Sequence, residues 1–121
     1  MFVLKIVTDF ASAHSLRNYP GDCSRLHGHN WQVEVSVCSQ VLDDNGIAID
    51  FREIKKQTKL VIKRVDHQYL NEIEPFDVLN PTAENIAVVC WNLLRTELDA
   101  KYELSIKLWE TENNLVEYSG K

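Results

Sequence analysis

Residues 30–40, NWQVEVSVCSQ, alternate without interruption: Trp31, Val33, Val35 and Val37 fall on one side of an extended chain, Gln32, Glu34 and Ser36 on the other. Successive side chains of a strand point to opposite faces, so the pattern predicts a half-buried β-strand and says which face meets the core. Residues 2–10 repeat it, with Phe2, Leu4, Ile6, Thr8 and Phe10 on one side. Two such strands share one apolar layer, and the rest of the chain has to pack on it.

The remainder of the chain reads as turns, helices and a hairpin. LDDNG at 42–46 supplies turn residues, and IAID is expected to extend briefly before Asp50, an N-cap candidate with Glu53 as its capping-box partner. Beyond it Phe51, Ile54, Thr58, Val61, Ile62 and Val65 recur at helical spacing as far as the Asp66-His67 pair. Lys55, Lys56, Lys59, Lys63 and Arg64 occupy the other side and read as the solvated face of that helix. Pro75 and Pro81 bracket an irregular connection; Thr82 can then cap a second helix with the stripe Ile86, Val89, Cys90, Leu93 and Leu94, ending near Asp99. YELSIKLWET and LVEYS give two more strands across a tight ENN turn. Strands joined by hairpins and helices adjacent in sequence predict an α+β fold: a four-stranded antiparallel sheet with two helices on one face. The other face is either solvated or packed on another subunit.

Composition bounds the class. A chain of 121 residues, 45% hydrophobic and 26% charged, is expected to form one domain over 1–121. No apolar run approaches the roughly 20 residues that span a bilayer, and MFVLKIVTDF lacks the basic start and cleavage site of a signal peptide, so a cytoplasmic location is expected. A net charge of −5 argues against nucleic acid and anionic membranes as partners. Cys23, Cys38 and Cys90 are odd in number and form no CxxC pair, which favours reduced thiols.

CSRLHGHNW, residues 23–31, carries the chemistry. In an extended segment His27 and His29 point to one side, and His14, after the first strand, can come from the neighbouring strand as a third imidazole. Three protein ligands with a fourth position open are the arrangement of a catalytic zinc site. Gly28 would allow close packing or an unusual backbone angle between the ligands, or mark a simple bulge. Cys23 has two readings: a fourth ligand closing a structural site, or a thiol of lowered pKa beside the metal. Asp66 and His67 are adjacent, so a direct contact between them needs an irregular backbone; otherwise they form a charged helix end. Thr82 and Glu84 are sufficient as helix-start chemistry. Glu110 would become available for bidentate recognition of a guanidine-like group if it were buried.

FASAH, CSRLHGH, IDF, VDHQYLN, PTAEN and WETENN, in this order over nearly the whole chain, resemble the family of 6-pyruvoyl- and 6-carboxy-tetrahydropterin synthases. The resemblance implies the tunnelling fold, in which protomers join edge to edge into a trimeric barrel and two barrels stack as a homohexamer. It makes His14, His27 and His29 the zinc ligands, Cys23 the general base, Asp66 and His67 a proton-relay pair, and Glu110 the anchor of a pterin substrate. Thr82 and Glu84 match positions near a pocket formed between subunits. Only Ser24, Arg25 and Leu26 separate Cys23 from the histidine pair, similar to the bacterial carboxy-forming branch. That implies conversion of 7,8-dihydroneopterin triphosphate and water to 6-carboxytetrahydropterin, acetaldehyde and triphosphate, on the way to queuosine. The alternatives are the pyruvoyl-forming reaction, a triphosphate elimination, and a non-catalytic zinc- or pterin-binding protein. Val65 stands where the family commonly has leucine, a modest change of apolar volume.

Overall fold

The computed structural model describes residues 1–121: a five-stranded sheet with two helices on one face. β1 (Phe2–His14) and β2 (His27–Ser39) pair antiparallel in unbroken register, from Phe2 opposite Ser39 to His14 opposite His27. The alternation sets that register, because a one-residue slip would turn Ile6, Phe10, Trp31, Val33, Val35 and Val37 out to solvent. The four β2 side chains are fully buried, each contributing about 1.5–3 kcal/mol of apolar burial.

α1 (Phe51–Val65) starts where Asp50 accepts the Arg52 N–H, and lays Ile54, Thr58, Val61, Ile62 and Val65 on the sheet. The expected capping box is not closed: the Glu53 carboxylate accepts from the Gln57 amide instead. Phe51 leaves the stripe and is half exposed. α2 (Ala83–Glu97) is capped by Thr82, whose Oγ1 accepts the Asn85 N–H, and buries Ile86, Ala87, Cys90 and Leu94. It stops two residues short of Asp99, with the Arg95 guanidinium donating to the carbonyls of Leu98, Asp99 and Tyr102. β4 (Glu103–Thr111) pairs with β2, and β5 (Asn114–Tyr118) with β4, both antiparallel.

The expected strand at IAID does not form. The Asp43 carboxylate accepts the N–H groups of Asn45 and Ile47 and its own N–H donates to the Ile47 carbonyl, so the segment closes on itself and spends the groups a strand needs. The short strand lies after α1 instead. β3 (Gln68–Tyr69) runs parallel to β1 beside Ser12 and Ala13, giving the order β3-β1-β2-β4-β5, a mixed sheet of five strands rather than an antiparallel one of four. On the sheet face away from the helices, Lys5 and Lys107 flank Glu34 at 3.6 and 3.5 Å. No helix is long and apolar enough to cross a membrane.

Candidate metal centre and its cleft

The ladder register builds the metal centre. His14 ends β1 opposite His27, which begins β2, and His29 lies on the same face two residues later. Ring centroids lie 4.6 Å apart for His14 and His27, 4.7 Å for His27 and His29, and 5.2 Å for His14 and His29. One nitrogen from each ring falls within 4.8 Å of the others. Trp31 forms the floor, its ring edge-on to His14 at 5.1 Å and to His29 at 5.2 Å. Gly28 has no unusual backbone angle, and a Cβ there would meet only the Ser12 carbonyl at 3.9 Å, so neither crowding nor a bulge accounts for it.

The outer nitrogens are already engaged: Nδ1 of His14 lies 2.7 Å from the Pro81 carbonyl, and Nδ1 of His27 lies 2.7 Å from the Arg25 carbonyl. A carbonyl only accepts, so each Nδ1 carries the proton and each Nε2 turns a lone pair inward. Nε2 of His14 and of His29 are buried without a hydrogen-bond partner. Burial holds both imidazoles below their ordinary pKa, in the neutral form that ligates metal. Two orphaned, inward-facing nitrogens and a third beside them fit a divalent cation such as zinc.

Glu110 reaches the same place from β4, its Oε2 3.8 Å from Nε2 of His14, where the pairing of β4 with β5 is irregular between Trp109 and Thr111. It is half-buried rather than solvated. A cleft of about 480 Å³ brings Glu110 together with Cys23, Thr82 and Glu84, as well as Tyr19 and Asn80. Cys23 sits in the short turn Asp22–Ser24 and is half-buried. Arg17, the cation nearest in sequence, is spent on backbone: its guanidinium donates to the carbonyls of Asn71, Phe76 and Leu79. A larger cleft, about 890 Å³, lies at the far end of β2 around Cys38 and Tyr102 and holds no histidine.

Asp66 and His67 stand apart from this cleft. Nδ1 of His67 is 2.9 Å from Asp66 Oδ1, and His67 takes a left-handed φ of 57°, the irregular backbone that the contact requires. The exposed His67 ring borders a second groove, of about 520 Å³, with Ala11, Ala13, Gly28 and Asn30, and His29 lines this groove as well. Asn71, the last residue of VDHQYLN, and Asn80, just ahead of PTAEN, bond the backbone of Ser15 and Arg17, roles that neither motif announces.

A sequence model of the 6-pyruvoyl tetrahydropterin synthase family matches residues 4–121. A 6-pyruvoyl tetrahydrobiopterin synthase of Dictyostelium discoideum is 33% identical over 97% of this chain and 87% of its own length. An Archaeoglobus fulgidus protein, named provisionally as a 6-carboxy-5,6,7,8-tetrahydropterin synthase, is 36% identical over 71% of this chain and 70% of its own. Among solved structures, the Caenorhabditis elegans 6-pyruvoyl tetrahydropterin synthase superimposes with a TM-score of 0.89 at 26% identity, covering 99% of this chain and 96% of that one. In its sequence over almost the full length, and in the sheet that sets three imidazoles against one another, this chain belongs to the 6-pyruvoyl tetrahydropterin synthase family.

Proposed function

We propose that the chain is a zinc-dependent 6-carboxy-5,6,7,8-tetrahydropterin synthase, a carbon-carbon lyase. It converts 7,8-dihydroneopterin triphosphate and water to 6-carboxytetrahydropterin, acetaldehyde and triphosphate, a cytoplasmic step toward queuosine. The observation that carries this reading is the position of Cys23: four residues ahead of His27 in sequence, with only Ser24, Arg25 and Leu26 between them, and in one cleft with Glu110. The cleft volume, about 480 Å³, is within the range of small-molecule sites.

Zinc held by His14, His27 and His29 would polarise the side-chain hydroxyls of the substrate as a Lewis acid. Glu110 accepts the 2-amino and N3–H groups of the pterin through paired hydrogen bonds and so fixes its orientation. Cys23, as thiolate, removes a proton from the substrate side chain. Thr82 and Glu84 frame the cleft; the Thr82 hydroxyl accepts the helix-capping N–H yet keeps its own proton to donate. His67, steadied by Asp66, takes up or returns a proton. Since His67 does not line the cleft that holds Cys23 and Glu110, it serves the site of an adjacent subunit, and the single domain of residues 1–121 supplies two half-sites to an assembly of trimeric barrels stacked as a homohexamer. The edge of β1 left free by the two-residue β3 supports that assembly.

A second reading, 6-pyruvoyl-tetrahydropterin synthase, is favoured by the name of the Dictyostelium relative. Incubating zinc-loaded protein with 7,8-dihydroneopterin triphosphate decides between them. Acetaldehyde with a carboxylated pterin supports the first. Triphosphate release without acetaldehyde supports the second, and no turnover leaves a zinc- or pterin-binding protein.

A further inference from the structure

At the C-terminal end of β1, on either side of its short pairing with β3, the outer edge is completed by side chains. Alternate residues of an extended segment turn their N–H and C=O groups to the same side. At Ala11 the N–H donates to Asp66 Oδ1 at 3.0 Å and the carbonyl accepts the His67 N–H at 2.6 Å. β3 then runs beside Ser12 and Ala13 and stops, because the chain coils into a tight turn at Leu70–Glu72. Where the next pairing would fall, Asn71 supplies a side-chain amide: its Oδ1 accepts the Ser15 N–H at 2.9 Å, and its Nδ2 donates to the Ser15 carbonyl at 2.8 Å. Asn80 repeats the arrangement two residues on, accepting the Arg17 N–H at 2.9 Å and donating to the Arg17 carbonyl at 3.2 Å.

Leu16, between these two clamped residues, faces the other way, and its N–H donates to the Cys23 carbonyl at 2.9 Å. The clamps themselves are anchored. The Asn80 carbonyl accepts from the Asn85 side chain in the first turn of α2, and the Arg17 guanidinium ties down the carbonyls of Asn71, Phe76 and Leu79. A primary amide is the one side-chain group that offers donor and acceptor side by side, as a peptide unit does. A carboxylate of the same shape would accept the N–H but set an oxygen against the carbonyl.

We propose that Asn71 and Asn80 are positioning residues for Cys23. Their amides bond the chain past the last backbone pairing of β1, hold Ser15 and Arg17 on either side of Leu16, and through Leu16 fix where the thiol stands in the cleft. This rests on Cys23 being the general base, a group whose displacement by about 1 Å costs on the order of a hundredfold in rate.

The test compares Asn71→Asp, Asn80→Asp and the corresponding alanine variants as zinc-loaded full chains. Iodoacetamide modification is followed at Cys23 and Cys38 separately by peptide mass spectrometry, beside kcat, KM and zinc content. The expected result is a change of about tenfold in Cys23 alkylation with Cys38 unaffected, and kcat down at least about tenfold with KM within about twofold. The alanine variants, which add no repelling oxygen, move in the same direction by less and carry the test if the aspartate forms do not fold. Parental alkylation and kcat in the folded variants would overturn the proposal. So would a parallel rise at Cys38, or zinc lost in step with activity, since either marks a purely structural role. Full turnover by Cys23→Ala would overturn the base assignment, and with it the catalytic purpose of the clamp; the alkylation rates report on the clamp without relying on turnover.

Discussion

Oδ1 of Asp66 lies 2.9 Å from Nδ1 of His67 while also accepting the Ala11 N–H at 3.0 Å. Neighbours on a helix point about 100° apart, so the contact exists only because α1 has ended: Asp66 is extended and His67 is left-handed. The Ala11 N–H, with His67 beside it, holds the Asp66 carboxyl below the usual carboxylate range. The pair is therefore built on the edge of β1, and its position is tied to that strand.

Its separation from the cleft of Cys23 makes assembly testable. Cys23→Ala and His67→Ala proteins, each inactive, should regain activity when mixed under conditions that exchange chains, because hybrid oligomers contain some intact sites. Native mass spectrometry must first confirm the hybrids. Hybrids without activity would mean that both residues act within one chain, and a protein that stays monomeric at micromolar concentration would remove the barrel.

The imidazole cluster leads to a statement about metal content. Alanine at His14, His27 or His29 should weaken zinc binding by more than the roughly 10–100-fold that loss of an outer partner costs. Metal per chain after dialysis is the measurement. Full zinc in all three variants would contradict the assignment.

For Cys23 the two readings of its sequence context part company in one variant. Cys23→Ala is expected to keep its zinc and its assembly and to lose turnover by at least about a hundredfold. Zinc lost with the thiol would instead identify a closed structural site.

How much of this the residues announce depends on where the determining forces act. Strict alternation in β1, β2 and β4, the helical spacing from Ile54 to Val65, and the Asp50 and Thr82 caps are local signals, and each appears as an element of the predicted kind. The histidine cluster is equally legible, since a period of two puts His27 and His29 on one face. The features that escape a reading of the sequence are tertiary outcomes. β3 is two residues long and exists only because Ser12 and Ala13 offer an edge. IAID has the right composition for a strand but is captured by the Asp43 side chain. The left-handed turn at His67 arises from the Asp66 and Ala11 contacts, which link residues far apart in sequence.

Cys90, on the buried stripe of α2, provides a pH prediction. Burial pushes its thiol up to about 12 from an ordinary 9.0. Above 9.0 the unfolded chain sheds a proton that the folded chain keeps, so this contribution to stability is complete below that pH and shrinks as pH rises toward 12. Cys90→Ala should cost about 1 kcal/mol at neutral pH yet lose stability less steeply between pH 9 and 11, measured by denaturant titration. Equal slopes for the two proteins would refute the burial of the thiol, as would alkylation of Cys90 in the folded protein.

The indole beneath the metal centre has a practical consequence. Trp31 is fully buried and edge-on to both His14 and His29, so the charge and electron density of those rings act directly on its excited state. Trp91 and Trp109 lie on other elements. In a variant that retains Trp31 alone, emission would change as the rings pass from free to ligated, and the protein would report its own metal occupancy optically, with no added dye.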